Sequence, residues 1–223
     1  FILNEGGAAY VRSPFVDVLE VASGGRTSDR FERGTGLFGV LRTVREGAQR
    51  TEDLCRGALS LLREIGAEAI LTDQMEPAGA LLAQAAGLPF LSVAAALPID
   101  PDPTIPSPFL AWPYDPSPDG VKRNRGGERV SRLLLRRQRE TIRACCRFLG
   151  IPTHERMEDC LSPIGTLSQI VPGLDYPRLD PDRHWGLGPL RSRSDEDTRQ
   201  LPFRRDPKRL LVFASLGTLQ GHR

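Results

Sequence analysis

The longest regular pattern of apolar positions lies between Gly36 and Ile65. Apolar side chains recur there at intervals of three and four residues, at Leu37, Val40, Leu41, Val44, Leu54, Cys55, Ala58, Leu61, Leu62 and Ile65. This spacing places them on one face of an α-helix, so we predict an amphipathic helix over this range. Gly66 follows directly, and glycine is the residue that most often ends a helix.

A strand–helix–strand unit comes next. Ala69 to Thr72 and Pro89 to Val93 are apolar runs of strand length, and a predicted helix, Ala78 to Ala86, lies between Pro77 and Gly87. Proline just inside the start and glycine just past the end are typical of helix termini. Two strands joined by one helix lie parallel in a sheet, so the fold class predicted here is α/β.

The rest of the chain predicts shorter or less regular elements. Strands are expected at Phe1–Leu3, Val16–Val21 and Leu167–Val171, and helices at Arg129–Leu149 and Thr153–Leu161. Between Leu97 and Gly120, eight of twenty-four residues are proline, which predicts a long loop without regular structure. Phe109, Trp112 and Tyr114 make this loop too apolar for a disordered linker, so we expect it to line a pocket.

Composition and charge narrow the class of protein. Of the 223 residues, 39% are hydrophobic and 26% are charged, as in soluble globular proteins. A formal net charge of +2 is too small to predict a basic surface that binds nucleic acid. The four cysteines lack the spacing of a zinc site and predict reduced core thiols. With no apolar run long enough to span a bilayer, we expect a cytoplasmic protein.

A charged segment near the end of the chain predicts a domain boundary. Residues 191 to 208 are polar and contain both signs of charge, and a new apolar run, LLVFAS, follows them. We therefore predict an α/β domain over 1–190, a linker over 191–208 and the start of a second domain over 209–223.

Five stretches, in order along the chain, resemble the UDP-dependent glycosyltransferases of the GT-B fold. They are TEDLCR, TDQMEPAGA, GLPFLSVAAALP, CLSPIGTLSQIVPGLDYPR and ASLGTLQGHR. The resemblance implies two Rossmann-like domains facing across a cleft, with the acceptor held mainly by the first and the nucleotide sugar by the second. It also implies that the opening strand, the histidine base and the main nucleotide-binding signature lie outside these 223 residues, which alone would be inactive.

Asp73 is the predicted catalytic residue. It follows the strand 69–72 at the carboxyl end, where open parallel sheets bind ligands. The resemblance implies that this carboxylate hydrogen-bonds the catalytic histidine, holding its tautomer and stabilising the imidazolium that forms. A simpler role also fits, since aspartate often caps a turn or helix start.

The same resemblance assigns the binding residues. Candidate acceptor contacts are Gln74, Glu76, Phe109, Trp112 and Tyr114, and candidate donor contacts are Ser215, Gly217 and Thr218, where a glycine turn after a strand offers N–H groups and hydroxyls to a diphosphate. For Glu76, its place in the first turn of a helix is an alternative explanation, and for the aromatic residues ordinary loop packing is one. The resemblance implies no metal, because helix termini and hydroxyl groups can meet the charge of the diphosphate. No cofactor is expected, since UDP-glucose acts as a co-substrate.

The implied acceptor is an apolar alcohol such as a carotenoid, glucosylated with inversion. A macrolide or sterol acceptor and a non-catalytic accessory module remain alternatives. The arginine-rich segment 129–149 fits either peripheral contact with the inner face of an anionic membrane or a solvated basic face.

Overall fold

The structure is a computed structural model that describes residues 1–11, 13–24, 36–107, 110, 112–190, 208 and 210. The chain divides into two compact units, Phe1–Pro189 and Leu190–Arg223. Nearly all of the second unit lies outside the described residues, including the predicted linker and the strand after it. The elements predicted from the sequence are therefore compared with the first unit.

The first unit is a parallel α/β domain, as predicted. Its strands are β1 (Ile2–Asn4), β2 (Leu19–Val21), β3 (Ile70–Asp73), β4 (Phe90–Ala94), β5 (Thr166–Ser168) and β6 (His184–Gly186). Its α-helices are α1 (Gly36–Glu64), α2 (Pro77–Ala86), α3 (Pro118–Leu134) and α4 (Arg136–Leu149). Single 3₁₀ turns occur at Gly7–Tyr10, Glu158–Cys160, Pro172–Leu174 and Pro181–Arg183.

All the strand pairs in the described residues are parallel. β1 pairs with β2, and a separate four-stranded sheet has the order β3-β4-β5-β6. Within that sheet Asp73 lies beside Val93, and Ala94 beside Ser168. The loops that leave β3, β4 and β5 therefore emerge at one edge of the sheet.

The core lies where α1, α2 and α4 pack together. Its fully buried side chains come from all three helices and include Cys55, Ala58, Leu81, Ile142 and Cys146. Of the apolar face predicted for the long helix, Leu54, Cys55, Ala58 and Leu62 are buried here, whereas Val40, Leu41 and Ile65 are exposed. The helix ends at Glu64, one residue before the predicted end. The strand–helix–strand unit is confirmed as β3-α2-β4, with α2 starting at Pro77 and closed by Gly87 at φ 69°.

The prediction of a single helix over 129–149 was wrong. The structure has two helices separated only by Leu135, and the first begins eleven residues earlier, at Pro118. Ser117 caps it, since Ser117 Oγ accepts a hydrogen bond from Gly120 N at 3.2 Å, and Pro118 fills the first helical position. The last residues of the predicted proline-rich loop are therefore the first turn of α3.

Three other predicted elements are shorter than expected, and one strand was missed. β2 covers only the end of 16–21, because its partner β1 has three residues. β5 ends at Ser168, where Ser168 Oγ accepts from Ile170 N and turns the chain. The helix predicted over 153–161 is a single turn, in which Asp159 accepts hydrogen bonds from the backbone N–H groups of Glu155 and Arg156. The missed strand is β6.

Candidate active site

Asp73 is the last residue of β3, and its carboxylate is exposed at the carboxyl edge of the sheet. One oxygen, Oδ1, accepts a hydrogen bond from Met75 N at 2.7 Å. Among the described residues nothing donates to Oδ2. The turn thus holds the carboxylate in place while one oxygen remains able to accept a proton donor from a ligand or from a neighbouring imidazole.

Gln74 is buried, with 5% of its surface exposed, and it anchors the loop that follows β4. Its Nε2 donates to Leu97 O at 3.0 Å, and its Oε1 accepts from Ile99 N at 3.1 Å. Both ends of the amide are therefore occupied by backbone groups. The predicted acceptor contact of Gln74 stays a prediction, but its observed role is to position the neighbouring loop.

Glu76 caps the first turn of α2 and lies in a network that joins three helices. Its Oε1 accepts from Ala78 N at 3.1 Å and lies 2.8 Å from Thr51 Oγ1 on α1. Gln138 on α4 donates from Nε2 to the same Thr51 hydroxyl at 3.0 Å. The alternative considered for Glu76 from the sequence, a carboxylate at the start of a helix, therefore fits its observed geometry.

Burial raises the pKa of Glu76 above its usual range, and the nearby negative charge of Asp73 adds to this, although the hydrogen bonds from Ala78 and Thr51 oppose it. The folded protein thus keeps the Glu76 proton to a higher pH than the unfolded chain does. Between those two pKa values, the folded state binds more protons, so the free energy of unfolding falls as pH rises.

We therefore expect Glu76→Gln to flatten this pH dependence. Glutamine keeps an oxygen for the cap but carries no charge to desolvate, so the variant should lose less stability than the wild type between pH 4 and pH 8. Urea unfolding at several pH values measures the difference. Glu68→Gln, at an exposed carboxyl group, should keep the wild-type profile, and a wild-type profile for Glu76→Gln would contradict the prediction.

An open cavity of about 370 Å³ lies beside this edge of the sheet. The loops after β3 and β4, the inward faces of α3 and α4, and residues 155–158 surround it. Its apolar lining comes mainly from Met75, Ile99, Ile105, Leu135, Ile142 and Met157. Its polar lining includes Asp100, Ser131, Arg132, Gln138 and Arg139. The lining also includes Asp102, Glu128, Glu155, Arg156 and Glu158, so the cavity offers both apolar and charged contacts to a ligand.

Polar contacts fix the loop that forms one wall of the cavity. Arg178 pairs with Asp175 at 2.8 Å and donates to Pro98 O at 3.0 Å. Asp102 accepts from Leu179 N at 3.0 Å and from the hydroxyl of Thr104 at 2.6 Å. Although partial burial acts against it, these hydrogen bonds hold the pKa of Asp102 below its usual range.

His184, the first residue of β6, makes a further link to this loop. Its Nε2 lies 2.9 Å from Asp100 Oδ2, and its Nδ1 lies 2.9 Å from Asp180 O. The contact with Asp100 has the distance of an ion pair but not the geometry of a hydrogen bond, and both side chains are largely buried. Sequence reasoning missed this pair because the two residues are far apart along the chain.

The predicted aromatic contacts pack within the domain. The Arg123 guanidinium lies 5.4 Å from the centre of the Trp112 ring, and Tyr114 stacks on Tyr176 with 5.4 Å between ring centres. Neither Trp112 nor Tyr114 lines the cavity. The alternative of ordinary loop packing fits these contacts, and acceptor binding by either residue stays a prediction.

Several predicted residues lie outside the described residues. They are Phe109 on the acceptor side and Ser215, Gly217 and Thr218 on the donor side. Within the described ranges, no three His, Cys, Asp or Glu side chains cluster as metal ligands. In those ranges, too, no helix combines the length and apolar character needed to cross a bilayer.

The fold and the site together define a class of protein: a parallel α/β domain with a cavity at the carboxyl edge of its sheet, where open parallel sheets bind ligands. Comparison with known proteins refines this class. No family model matches the chain. The chain nevertheless belongs to the glycosyltransferases, as the motifs predicted. The related region covers 185 residues, which is 82% of the chain.

Two curated relatives carry this relationship. The chain is 36% identical to a zeaxanthin glucosyltransferase from Pantoea ananas and 37% identical to one from Pseudescherichia vulneris. It spans less than half of their length, 43% and 44%. Among solved structures, the glycosyltransferase SnogD from Streptomyces nogalater matches 70% of this chain and 33% of its own, at 16% identity and a TM-score of 0.36.

Proposed function

We propose that the protein transfers glucose from UDP-glucose to a hydroxyl group of a carotenoid, zeaxanthin, with inversion at the anomeric carbon. Relationship to two zeaxanthin glucosyltransferases over most of the chain supports this. The structural observation that carries the proposal is the exposed Asp73 carboxylate, held at the end of β3 by the backbone N–H of Met75, a residue that lines the cavity.

The proposed reaction is a single displacement. The hydroxyl oxygen of the acceptor attacks the anomeric carbon, the bond from that carbon to the diphosphate breaks, and UDP leaves with the bonding electrons. A histidine of the full-length protein takes the hydroxyl proton as general base. Asp73 accepts a hydrogen bond from the far side of that imidazole and stabilises its protonated form, so it acts on a reacting group.

The cavity is proposed to hold one end of the acceptor. Its volume of about 370 Å³ suits a ring-sized group rather than a whole carotenoid, so the polyene would extend through the open side. Ile99, Ile105 and Leu135 provide apolar contacts for a ring, and Ser131 or Gln138 can bond a hydroxyl group. On the donor side, Ser215, Gly217 and Thr218 are proposed to contact the diphosphate.

The proposal includes no metal and no cofactor beyond the nucleotide sugar. It places the protein in the cytoplasm, which agrees with four buried cysteines that are all free thiols. Incubation of the full-length protein with UDP-glucose and zeaxanthin, with a macrolide and a sterol in parallel, tests it. A carotenoid glucoside identified by mass spectrometry supports it. Turnover of only the macrolide or sterol, or of none, would favour another acceptor or the accessory role.

Gln74→Leu should weaken acceptor binding. Leucine fills the same space but leaves Leu97 O and Ile99 N without their partner, so the loop wall at Pro98 and Ile99 loosens. With about 1 kcal/mol for each hydrogen bond, we expect KM for the acceptor to rise about five- to thirtyfold. KM for UDP-glucose should stay unchanged, and amide exchange at Ile99 should accelerate.

The matched control for this prediction is Gln84→Leu. Gln84 is an exposed residue of α2 whose amide contacts His154 rather than the cavity loop. It should leave both KM values at the wild-type level. Equal effects of the two substitutions would contradict the positioning role of Gln74.

A further inference from the structure

The helices α3 and α4 concentrate positive charge. Residues 118–149 carry ten Lys and Arg side chains and three Asp and Glu side chains, whereas the whole chain has a net charge of only +2. The remaining residues therefore have a net negative charge, and the basic character of the protein belongs to this one helical pair. Such a separation of charge creates a directional field.

One side of α3 exposes several of these charged side chains to solvent. Besides Pro118, Asp119 and Arg132, the exposed positions of α3 recur at intervals of three and four, and they are Lys122, Arg125, Gly126, Arg129, Val130 and Leu133. We call these six residues the basic stripe. In the described part of the chain, no ion pair involves Lys122, Arg125 or Arg129, whereas Arg132 and Arg136 pair with Glu128 and Glu140. The cations of the basic stripe thus remain available to a partner.

Two large apolar side chains lie within the basic stripe. Leu133 is 72% exposed and Val130 is 53% exposed. Apolar side chains surrounded by cations match the boundary between anionic headgroups and acyl chains of a bilayer. At about 1.5 Å per residue, the seventeen residues of α3 extend about 25 Å, which suits a helix lying along such a surface.

Other partners fit the basic stripe less well. Single-stranded nucleic acid is usually held by aromatic stacking, and α3 contains no aromatic residue. A second copy of the same stripe would bring like charges together. An anionic surface satisfies both the cations and the apolar pair.

We propose that the basic stripe docks the protein on an anionic membrane surface, with Leu133 and Val130 inserted at the headgroup level. On the other side of α3, Glu128 and Ser131 line the cavity. Docking would therefore hold the cavity about one helix diameter, roughly 10 Å, from the lipid. The proposal rests on charge and exposure and does not depend on sugar transfer.

Sedimentation of the purified full-length protein with vesicles tests it. The protein should bind phosphatidylglycerol–phosphatidylcholine vesicles in 0.1 M salt, remain in solution with pure phosphatidylcholine, and dissociate in 1 M salt, where screening is strong. Removing one cation near an anionic surface costs about fivefold in partition, so Arg125→Gln with Arg129→Gln should reduce binding about 25-fold. No binding to the anionic vesicles would overturn the proposal.

The matched control is Arg45→Gln with Arg63→Gln. Both arginines are exposed on α1, so this variant removes the same charge from another surface. It should bind vesicles like the wild type, and all three proteins should melt alike. An equal loss in both variants would show that net charge rather than the basic stripe governs binding, and would overturn the proposal.

Leu133→Trp measures insertion once the emission of the wild-type protein, which contains Trp112 and Trp185, has been subtracted. On phosphatidylglycerol vesicles its fluorescence should shift to the blue and be quenched by lipids brominated in the upper acyl chain. An emission that stays at the wavelength of water-exposed tryptophan would overturn insertion. Binding of single-stranded RNA through Arg125 and Arg129, with no vesicle binding, would assign the basic stripe to nucleic acid instead. These binding experiments give their result whether or not the protein transfers glucose, so failure of one proposal is distinguished from failure of the other.

Discussion

Replacing Asp73 by Asn is expected to lower kcat for sugar transfer by roughly 10²–10⁴-fold. Asparagine keeps an oxygen that accepts from Met75 N, so the turn after β3 should survive. It removes the negative charge that would stabilise the protonated base. KM for both substrates should change little, because Asp73 acts on the base rather than on substrate binding.

The pH profile separates this role from a structural one. A carboxylate beside an imidazole favours the protonated form, so its loss should lower the pKa of the base and move the acid limb of the kcat profile to lower pH. Asp182→Asn, at an exposed aspartate in the turn before β6, should leave kcat unchanged. If Asp73→Asn retained wild-type turnover and pH profile, a role for Asp73 in stabilising the protonated base would be excluded.

Replacing Gly79 by Ala is expected to destabilise the fold by about 1–3 kcal/mol. Gly79 on α2 lies against Thr72 on β3, and a Cβ at this position would lie 2.5 Å from Thr72 Cβ and closer still to Thr72 Oγ1. Thr72 is buried, so α2 would have to move away from the strand that carries Asp73. Thermal unfolding should show a Tm lower by roughly 2–4 °C per kcal/mol.

Gly126→Ala is the matched control, because it makes the same change within a helix. No atom lies within 4 Å of a Cβ built at Gly126. Its substitution should stabilise α3 by about 0.5–1 kcal/mol, as alanine usually does in a helix. The two substitutions should therefore change the free energy of unfolding in opposite directions. A stabilising effect of Gly79→Ala would show that α2 does not pack on β3 as described.

The sequence predicted the elements whose signals are local. Pro77 and Gly87 mark both ends of α2, and the apolar runs beside them identify β3 and β4 as parallel strands. The position of Asp73 at the edge of the sheet follows from those strands alone. The start of α3 also had a local signal, a serine cap followed by proline, but the surrounding prolines favoured a loop interpretation.

The remaining features depend on contacts that are distant in sequence. Gln74 bonds backbone groups more than twenty residues away, and the cavity combines side chains from four separate segments. β6 has three residues, and only its pairing with β5 defines it as a strand. No periodic pattern encodes such contacts. The sequence therefore predicted the aromatic residues as acceptor contacts and missed residues that line the cavity, such as Ile99 and Leu135.

The way the loop after β4 is held has a consequence for engineering. Gln74 and Arg178 bond main-chain groups at Leu97, Ile99 and Pro98, and Asp102 accepts from Leu179 N, so none of these hydrogen bonds uses the side chain of Ile99 or Ile105. Ile99 and Ile105 face the cavity from this backbone. A library randomised at those two positions should therefore change the shape of the cavity and, under the proposed function, the range of acceptors, while leaving the scaffold intact.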